Sequence, residues 1–300
     1  MKKNQSDIVL LTYAGKSYEK SAHTLERRAK SLGFSDVKVF GPSNLSPEFF
    51  AKNAETFTLS RGAGYWIWKP WIISLVLKSL KENQTFLYCD AGIILRAKAE
   101  YFEELAKDGL IHLWSATSHR STNNYWIDKS VWNNIVGNGE VSKTPHYMAG
   151  FILSQNTKQF RDMVNSWLLL CENANLLRPD SKTDYTPSEG LIGHRHDQAI
   201  LNCLVYLDSN YFSLTTANVD LINSPILIHR RGNLGSYHQA VLLIYGGRIY
   251  RSIMRKLPRK VRQVIQKQII RIRRPYTPDT EIERHMELFF NSKSSPESST

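Results

Sequence analysis

Hydrophobic and polar positions in the first ninety residues form blocks that predict strands alternating with helices. The apolar run at 8–11 is typical of a buried strand, residues 21–32 predict a helix, and Asp36–Phe40 predicts a second strand. Residues 70–80 predict another helix, which precedes the apolar strand Thr85–Cys89. A strand, a helix and a strand at this spacing predict a βαβ unit and a parallel sheet.

The same alternation continues to about residue 245. Strands are predicted at 110–115, 147–153 and 225–229, and helices at 157–170 and His196–Leu207. Residues 173–190 are polar and contain two prolines, which predicts a loop. We therefore expect one α/β domain over 1–245.

The net charge of +12 is concentrated in one region. Residues 221–278 contain thirteen Lys and Arg and no Asp or Glu, so the rest of the chain is nearly neutral. Apolar residues at steps of three and four over 247–274 predict amphipathic helices broken near Pro258. We expect a basic helical tail over 246–290 and disorder over 291–300.

A cationic face opposite an aliphatic one favours binding to an anionic membrane surface. The alternatives are a helical hairpin packed on the body with a solvated basic face, and nucleic-acid binding. We expect no nucleic acid as a partner, because no recognised nucleic-acid-binding module accompanies the charge. The N-terminal apolar run is too short for a signal peptide or a membrane span, so the expected location is the cytoplasm, at the inner face of the membrane.

The three cysteines, Cys89, Cys171 and Cys203, are odd in number and far apart in the sequence. They predict buried thiols rather than a disulfide framework or a zinc site.

The first candidate for chemistry is Asp90, which directly follows the strand Thr85–Cys89. In open α/β sheets ligands bind beyond the carboxyl ends of strands, where a carboxylate can face a metal or a ribose. Gly92 would let a backbone approach closely. An ordinary turn is the alternative interpretation.

A second candidate is the segment 61–71, which combines two glycines with four aromatic residues and a cation near each end. Arg61 and Lys69 can bind a diphosphate. Gly64 permits close backbone approach, and Trp66 offers a ring that can stack on a base or a sugar. The alternative is a packed aromatic loop.

Two further candidates lie later in the chain. Asp197 and Gln198 open the helix His196–Leu207, where an Asp in the first turn also suits the helix dipole. His229, at the end of the predicted strand at 225–229, can ligate a divalent ion, and Arg231 lies in a glycine-rich loop that can hold phosphate. A basic loop leading into the tail is the alternative for the last pair.

Taken in order, these motifs resemble those of GT-A glycosyltransferases, especially the retaining galactosyltransferase and glycogenin-like group. The resemblance covers roughly residues 8–240. Its motifs are Asp90-Ala91-Gly92, then residues 146–153 with Gly150, then residues 197–202, then His229 with Gly232 and Gly235. The segment 61–71, together with Asp90-Ala91-Gly92, also resembles uncharacterised bacterial proteins found among surface-polysaccharide functions.

The resemblance implies a GT-A-like, Rossmann-related sheet that is mixed but mainly parallel and flanked by helices. It implies transfer of a sugar from a nucleotide-diphosphate donor to a glycan or lipid-linked acceptor, with retention of configuration. Mn²⁺ or Mg²⁺ would lie at Asp90 and His229, with Asp197 and Gln198 by the anomeric carbon. Gly150 and Arg231 would help to bind the donor.

The sequence departs from that group at three points. Gly92 stands where the second acidic residue of Asp-x-Asp usually holds the metal, Ala199 replaces a second acidic residue, and no Lys-Pro-Trp follows His229. Two alternatives therefore stay open. One is an inactive GT-A-like protein that binds a nucleotide or a glycan, and the other is a membrane-surface scaffold that depends on the tail.

Overall fold

The structure, a computed structural model, describes residues 6–58, 61–116, 121–137, 139–181, 186–217, 225–228 and Pro258. All of these except Pro258 belong to the first of two units, 1–243, into which the chain divides. Apart from Pro258, the predicted basic tail and the disorder over 291–300 lie outside the described residues. The predicted domain boundaries therefore stay a prediction.

The described residues contain strands in two sheets. The strands are β1 (Val9–Tyr13), β2 (Asp36–Phe40), β3 (Thr85–Cys89), β4 (Ile93–Leu95), β5 (Ile111–Ala116), β6 (Tyr147–Gln155), β7 (Phe212–Ala217) and β8 (Ile226–Ile228). The larger sheet has the order β2-β1-β3-β6-β5-β7, and β4 pairs with β8 in the smaller one. Within the larger sheet, β6 runs antiparallel to its neighbours β3 and β5, while the other pairings are parallel.

Helices lie in most of the described connections between these strands. The α-helices are Glu19–Ser31, Pro47–Lys52, Ala54–Phe57, Trp68–Leu77, Ala99–Ala106, Lys129–Ile135, Lys158–Cys171, Ala174–Leu177 and His196–Leu207. Gly62–Tyr65 forms a single left-handed turn. The 3₁₀ turns are Lys16–Tyr18, Pro42–Asn44, Asn123–Tyr125, Val141–Lys143, Pro179–Ser181 and Ser209–Tyr211. The loop predicted over 173–190 was wrong in part, because its first half folds into the helix Ala174–Leu177 and the turn Pro179–Ser181.

Two apolar cores, one on each face of the larger sheet, explain why the central strands β1 and β3 are mainly apolar and fully buried. Successive residues of a strand point to opposite faces. Leu11 and Tyr88 therefore pack in one core with the helices Trp68–Leu77 and Lys158–Cys171. Leu10, Leu87 and Phe151 pack in the other core with the helices Glu19–Ser31 and Ala99–Ala106. The predicted fold class is confirmed as a mixed, mainly parallel sheet flanked by helices.

The reversed direction of β6 decides which residues reach the ligand-binding edge of the sheet. The carboxyl end of β3 pairs with the early part of β6, since Cys89 lies opposite Phe151. Parallel strands gather their carboxyl ends at one edge, where ligands bind in folds of this kind. Asp90 and the first residues of β6 therefore lie at that edge.

Cys89, Cys171 and Cys203 are buried free thiols, as predicted. Among the described helices, none is long and apolar enough to cross a membrane.

Candidate functional site

A buried lysine joins two carboxylates at the ligand-binding edge of the sheet. The Lys69 ammonium lies 3.3 Å from Oδ1 of Asp90 and 3.4 Å from Oδ2 of Asp197, and its side chain is 4% exposed. It also donates to the Ala149 carbonyl, at 3.2 Å. Burial alone would lower the pKa of Lys69, but Asp197 and Asp90 together raise that pKa above its ordinary value. The lysine therefore stays charged and holds both carboxylates.

Asp90 is the solvent-facing member of this cluster, with 43% of its side chain exposed. Its Oδ1 accepts a hydrogen bond of 2.7 Å from the Tyr88 hydroxyl. Burial and then the charge of Asp90 raise the pKa of Tyr88 well above its ordinary value, so the hydroxyl stays protonated. The Asp90 backbone NH donates to the Gly150 carbonyl at 2.8 Å. Asp90 thus presents a fixed carboxylate at the surface.

Gly150 makes room for that carboxylate. A Cβ atom at this position would lie 2.6 Å from Oδ2 of Asp90, which is closer than real Cβ contacts come. The requirement for glycine at 150 is therefore steric. Gly92, two residues after Asp90, lies in the turn that joins β3 to β4.

Asp197 is the buried member of the cluster. It lies in the first turn of the helix His196–Leu207, and its backbone carbonyl accepts a hydrogen bond of 2.8 Å from the Trp167 indole. Burial raises the pKa of Asp197 to about 6, even though the Lys69 ammonium opposes the shift. A carboxylate with this pKa changes charge close to neutral pH, as groups at functional sites often do.

Gln198, the next residue, faces a different group. Its side-chain nitrogen lies 2.7 Å from Nε2 of His146, the residue just before β6. Nδ1 of His146 lies 2.6 Å from Oδ1 of Asn123. Burial, followed by the charges of Arg195 and His194, lowers the pKa of His146 well below its ordinary value, so the ring is neutral.

The segment that leads to Lys69 has a left-handed backbone. Gly62, Ala63, Gly64, Tyr65 and Trp66 have φ values of 59°, 49°, 89°, 52° and 59°. Two i to i−4 hydrogen bonds close the turn, Tyr65 NH to Arg61 O at 2.8 Å and Trp66 NH to Gly62 O at 3.2 Å. Each non-glycine residue in this conformation costs roughly 1–2 kcal/mol. Such strain is typical of functional sites.

This left-handed turn sets two aromatic rings beside the start of the helix His196–Leu207. The Tyr65 and His196 ring centroids are 3.9 Å apart, and those of Trp66 and His196 are 6.1 Å apart. A Cβ atom on Gly64 would lie 2.9 Å from the ring of Phe57. Arg61, at the start of the turn, is partly exposed and lies 4.0 Å from Asp180.

The structure therefore brings Lys69, Asp90, Gly150 and Asp197 into one cluster. Gln198, Trp66, Gly64 and Arg61 lie on elements next to it. His229 and Arg231 lie outside the described residues. The described residue just before them, Ile228, pairs with Ile93 at the start of β4, three residues after Asp90.

The described residues do not by themselves amount to a metal site. Within the ranges that the structure describes, no group of three or more His, Cys, Asp or Glu side chains could hold a metal ion. Of the two predicted ligands, Asp90 has an ammonium 3.3 Å from one oxygen, and His229 lies outside the described residues. The predicted Mn²⁺ or Mg²⁺ stays a prediction.

Sequence reasoning missed Tyr88, His146 and Asn123 as members of the site. Tyr88 lies two residues before Asp90 inside an apolar strand, where a core role is the ordinary interpretation. His146 carried the clearest signal, because it is a histidine directly before an apolar strand. Asn123 lies in a short polar turn with no signal in the sequence.

No protein-family model matches the sequence, and no curated protein matches it. Among solved structures, the chain is similar to a glycosyltransferase involved in the glycosylation of the major capsid of PBCV-1, with 13% identity and a TM-score of 0.39 over 70% of this chain and 82% of that one. It is also similar to mouse xyloside xylosyltransferase 1 in its apo form, with 12% identity and a TM-score of 0.39 over 69% of this chain and 84% of that one. Identities and TM-scores this low support no argument about activity.

Proposed function

We propose that the chain is a glycosyltransferase that moves a sugar from a nucleoside-diphosphate donor onto a glycan or lipid-linked acceptor. The observation that carries this proposal is the cluster formed by Asp90, Gly150 and Asp197 around Lys69. These three residues come from separate motifs whose order in the chain resembles that of GT-A glycosyltransferases. The three residues lie together at the carboxyl ends of the parallel strands, where ligands bind in folds of this kind, and this supports the proposal.

The charges of the cluster suit glycosyl transfer. Two ionised carboxylates and one ammonium leave a net negative charge, and Asp90 presents it to solvent. As the bond between the sugar and the diphosphate breaks, positive charge develops on the sugar. Nearby carboxylates stabilise such a state in glycoside chemistry, and fixed charges aimed at it lower the barrier. In this proposal the exposed Asp90 contacts the donor sugar, while the buried Asp197 contributes its negative charge from the protein interior.

Donor binding is assigned to the neighbouring elements. The Lys69 ammonium already contacts two carboxylates and a carbonyl, so its role is to keep the carboxylates ionised and in place. Arg61, which is partly exposed, is proposed to bind the diphosphate. The same role is proposed for Arg231 from the sequence alone, because it lies outside the described residues. Trp66 is proposed to stack on the base or the sugar.

Further details rest on the resemblance and on composition. Retention of configuration, a role in surface-polysaccharide synthesis and a need for Mn²⁺ or Mg²⁺ follow the resemblance. Association of the basic tail with an anionic membrane surface follows from the charge of residues 221–278.

Thermal shift with a panel of UDP-, GDP-, CMP- and dTDP-sugars, with and without Mn²⁺, tests donor binding first. A ligand that binds only the folded state raises its stability as it fills the site. Release of nucleoside diphosphate with an acceptor then tests transfer. We expect one donor class to bind, and Asp90→Asn to abolish transfer while the protein stays folded.

Asp36→Asn is the matched control, because Asp36 is also a half-exposed aspartate beside a lysine, 3.0 Å from Lys38. It should leave transfer unchanged. Full transfer by Asp90→Asn would refute the proposed site. Donor binding without transfer under any metal or acceptor would favour an inactive binding protein.

A further inference from the structure

A chain of four polar side chains extends from a surface turn to Gln198. The Thr144 hydroxyl donates to the Val141 carbonyl at 2.8 Å and lies 2.9 Å from Nδ2 of Asn123. Oδ1 of Asn123 lies 2.6 Å from Nδ1 of His146, and Nε2 of His146 lies 2.7 Å from the Gln198 amide nitrogen. Asn123 and His146 are both buried.

The donors and acceptors in this chain have one consistent order. The Thr144 hydroxyl has one proton, which goes to the Val141 carbonyl, so its oxygen accepts from Nδ2 of Asn123. Oδ1 of Asn123 then accepts from His146, so Nδ1 carries the ring proton. In a neutral ring the other nitrogen, Nε2, must accept, and Gln198 supplies the donor.

The reverse order costs a hydrogen bond. If Gln198 turned its oxygen to His146, Nε2 would carry the proton, and Nδ1 would accept from the Asn123 amide. Oδ1 of Asn123 would then need the Thr144 proton, and the Val141 carbonyl would lose its bond to that hydroxyl. The Val141 carbonyl would keep its hydrogen bond from the Thr144 backbone NH, at 3.1 Å, but the chain as a whole would have one hydrogen bond fewer. The first order is therefore favoured by one hydrogen bond.

We propose that His146 is a positioning residue that holds the Gln198 amide through its nitrogen, so that the amide oxygen is turned towards the substrate. This rests on the proposed glycosyltransferase function. The Gln198 carbonyl oxygen has no hydrogen-bond partner among the described residues. It is thus left to accept from a sugar hydroxyl or to face the positive charge that develops on the sugar.

The arrangement needs a neutral imidazole. Burial, followed by the charges of Arg195 and His194, keeps His146 unprotonated. A protonated ring would have no acceptor for Gln198, and the amide would turn its oxygen away from the substrate. The neutral ring therefore sets the direction of the amide.

Two measurements on the full chain test the proposal. Long-range ¹H–¹⁵N correlation of the imidazole nitrogens reports the tautomer, and His146→Phe identifies the signal among the nine histidines. Transfer is then measured for His146→Phe, for Gln198→Leu and for the double variant, with His146→Gln as the conservative replacement. A side-chain amide at position 146 can both donate to Asn123 and accept from Gln198.

We expect the Nδ1–H tautomer and a kcat about tenfold lower in His146→Phe, with a smaller change in the donor KM. This is the scale of one neutral hydrogen bond lost in the transition state. His146→Gln should recover most of the rate. In the Gln198→Leu background, His146→Phe should have no further effect, whereas a merely structural role would lower the rate in both backgrounds.

The Nε2–H tautomer in an enzyme that transfers sugar would overturn this inference alone. Equal losses from His146→Phe in both backgrounds would also overturn it. If the wild-type protein transferred no sugar while its His146 signal showed the Nδ1–H tautomer, the proposed function would fail and the positioning role would fail with it.

Discussion

Replacement of Lys69 by methionine should destabilise the protein more at alkaline pH than at acid pH. Lys69 faces Asp197, whose carboxylate is buried and whose pKa of about 6 lies above its ordinary value of 3.8. Asp197 therefore contributes stability while it is protonated. That stability is complete below about pH 3.8 and is lost as pH rises through about 6. At 1.36 kcal/mol per pKa unit, the loss in the wild-type protein is about 3 kcal/mol.

Without the ammonium, the pKa of Asp197 rises further, because Lys69 opposes the effect of burial. Removal of one partner of a buried ion pair typically costs about 3–5 kcal/mol. We expect the free energy of unfolding of Lys69→Met to fall by about this amount at pH 8. The loss should be much smaller at pH 5, where a protonated Asp197 needs no counter-charge. Addition of Asp197→Asn should recover most of the stability at pH 8.

Urea denaturation at pH 5 and pH 8 measures these differences through the midpoint at constant slope. Lys158→Met is the matched control, because Lys158 pairs with Asp162 at 2.6 Å on the surface. It should cost less than about 1 kcal/mol at both pH values. Equal losses for Lys69→Met at both pH values, or no recovery in the double variant, would refute the reasoning.

Three further predictions concern activity and backbone strain. Gly150→Ala should displace the Asp90 carboxylate and reduce transfer at least tenfold, while Gly15→Ala, where a Cβ atom meets nothing within 4 Å, should leave transfer unchanged. The acid limb of the kcat/KM profile should have its midpoint near pH 6, because Asp197 must be ionised, and a midpoint near pH 4 would contradict this role. Ala63→Gly should raise the free energy of unfolding by about 1 kcal/mol by relieving a positive φ of 49°, and a measured loss would argue against strain there.

The elements whose bounds were predicted correctly are those whose first and last residues are marked by a clear apolar pattern. Thr85–Cys89 is an apolar run between polar residues, and His196–Leu207 has apolar residues at helical spacing. The strand β7 was missed because its residues, Phe-Ser-Leu-Thr-Thr-Ala, give only a weak apolar signal. β7 is the outermost strand of the larger sheet because it pairs with β5, and sequence periodicity does not reveal this pairing.

The site was predictable one residue at a time but not as a cluster. Asp90 and Asp197 were selected because each stands at the end of a recognisable element. Their common partner Lys69 was selected for a different reason, as a cation near a glycine pair. The left-handed turn before it was not predicted, because Ala63 and Trp66 have no intrinsic preference for that conformation. Tertiary packing has to impose it.

The reversed strand β6 makes the site sensitive to changes in chain length. Gly150 faces Asp90 only while Phe151 stays opposite Cys89, and a shift of one residue would bring a larger side chain against the carboxylate. The pairs of β6 with β3, from Phe151 to Gln155, hold this alignment. A single-residue insertion between Phe151 and Gln155 that shifted these pairs would therefore displace Gly150 from Asp90, whereas an insertion after Gln155 would leave them in place.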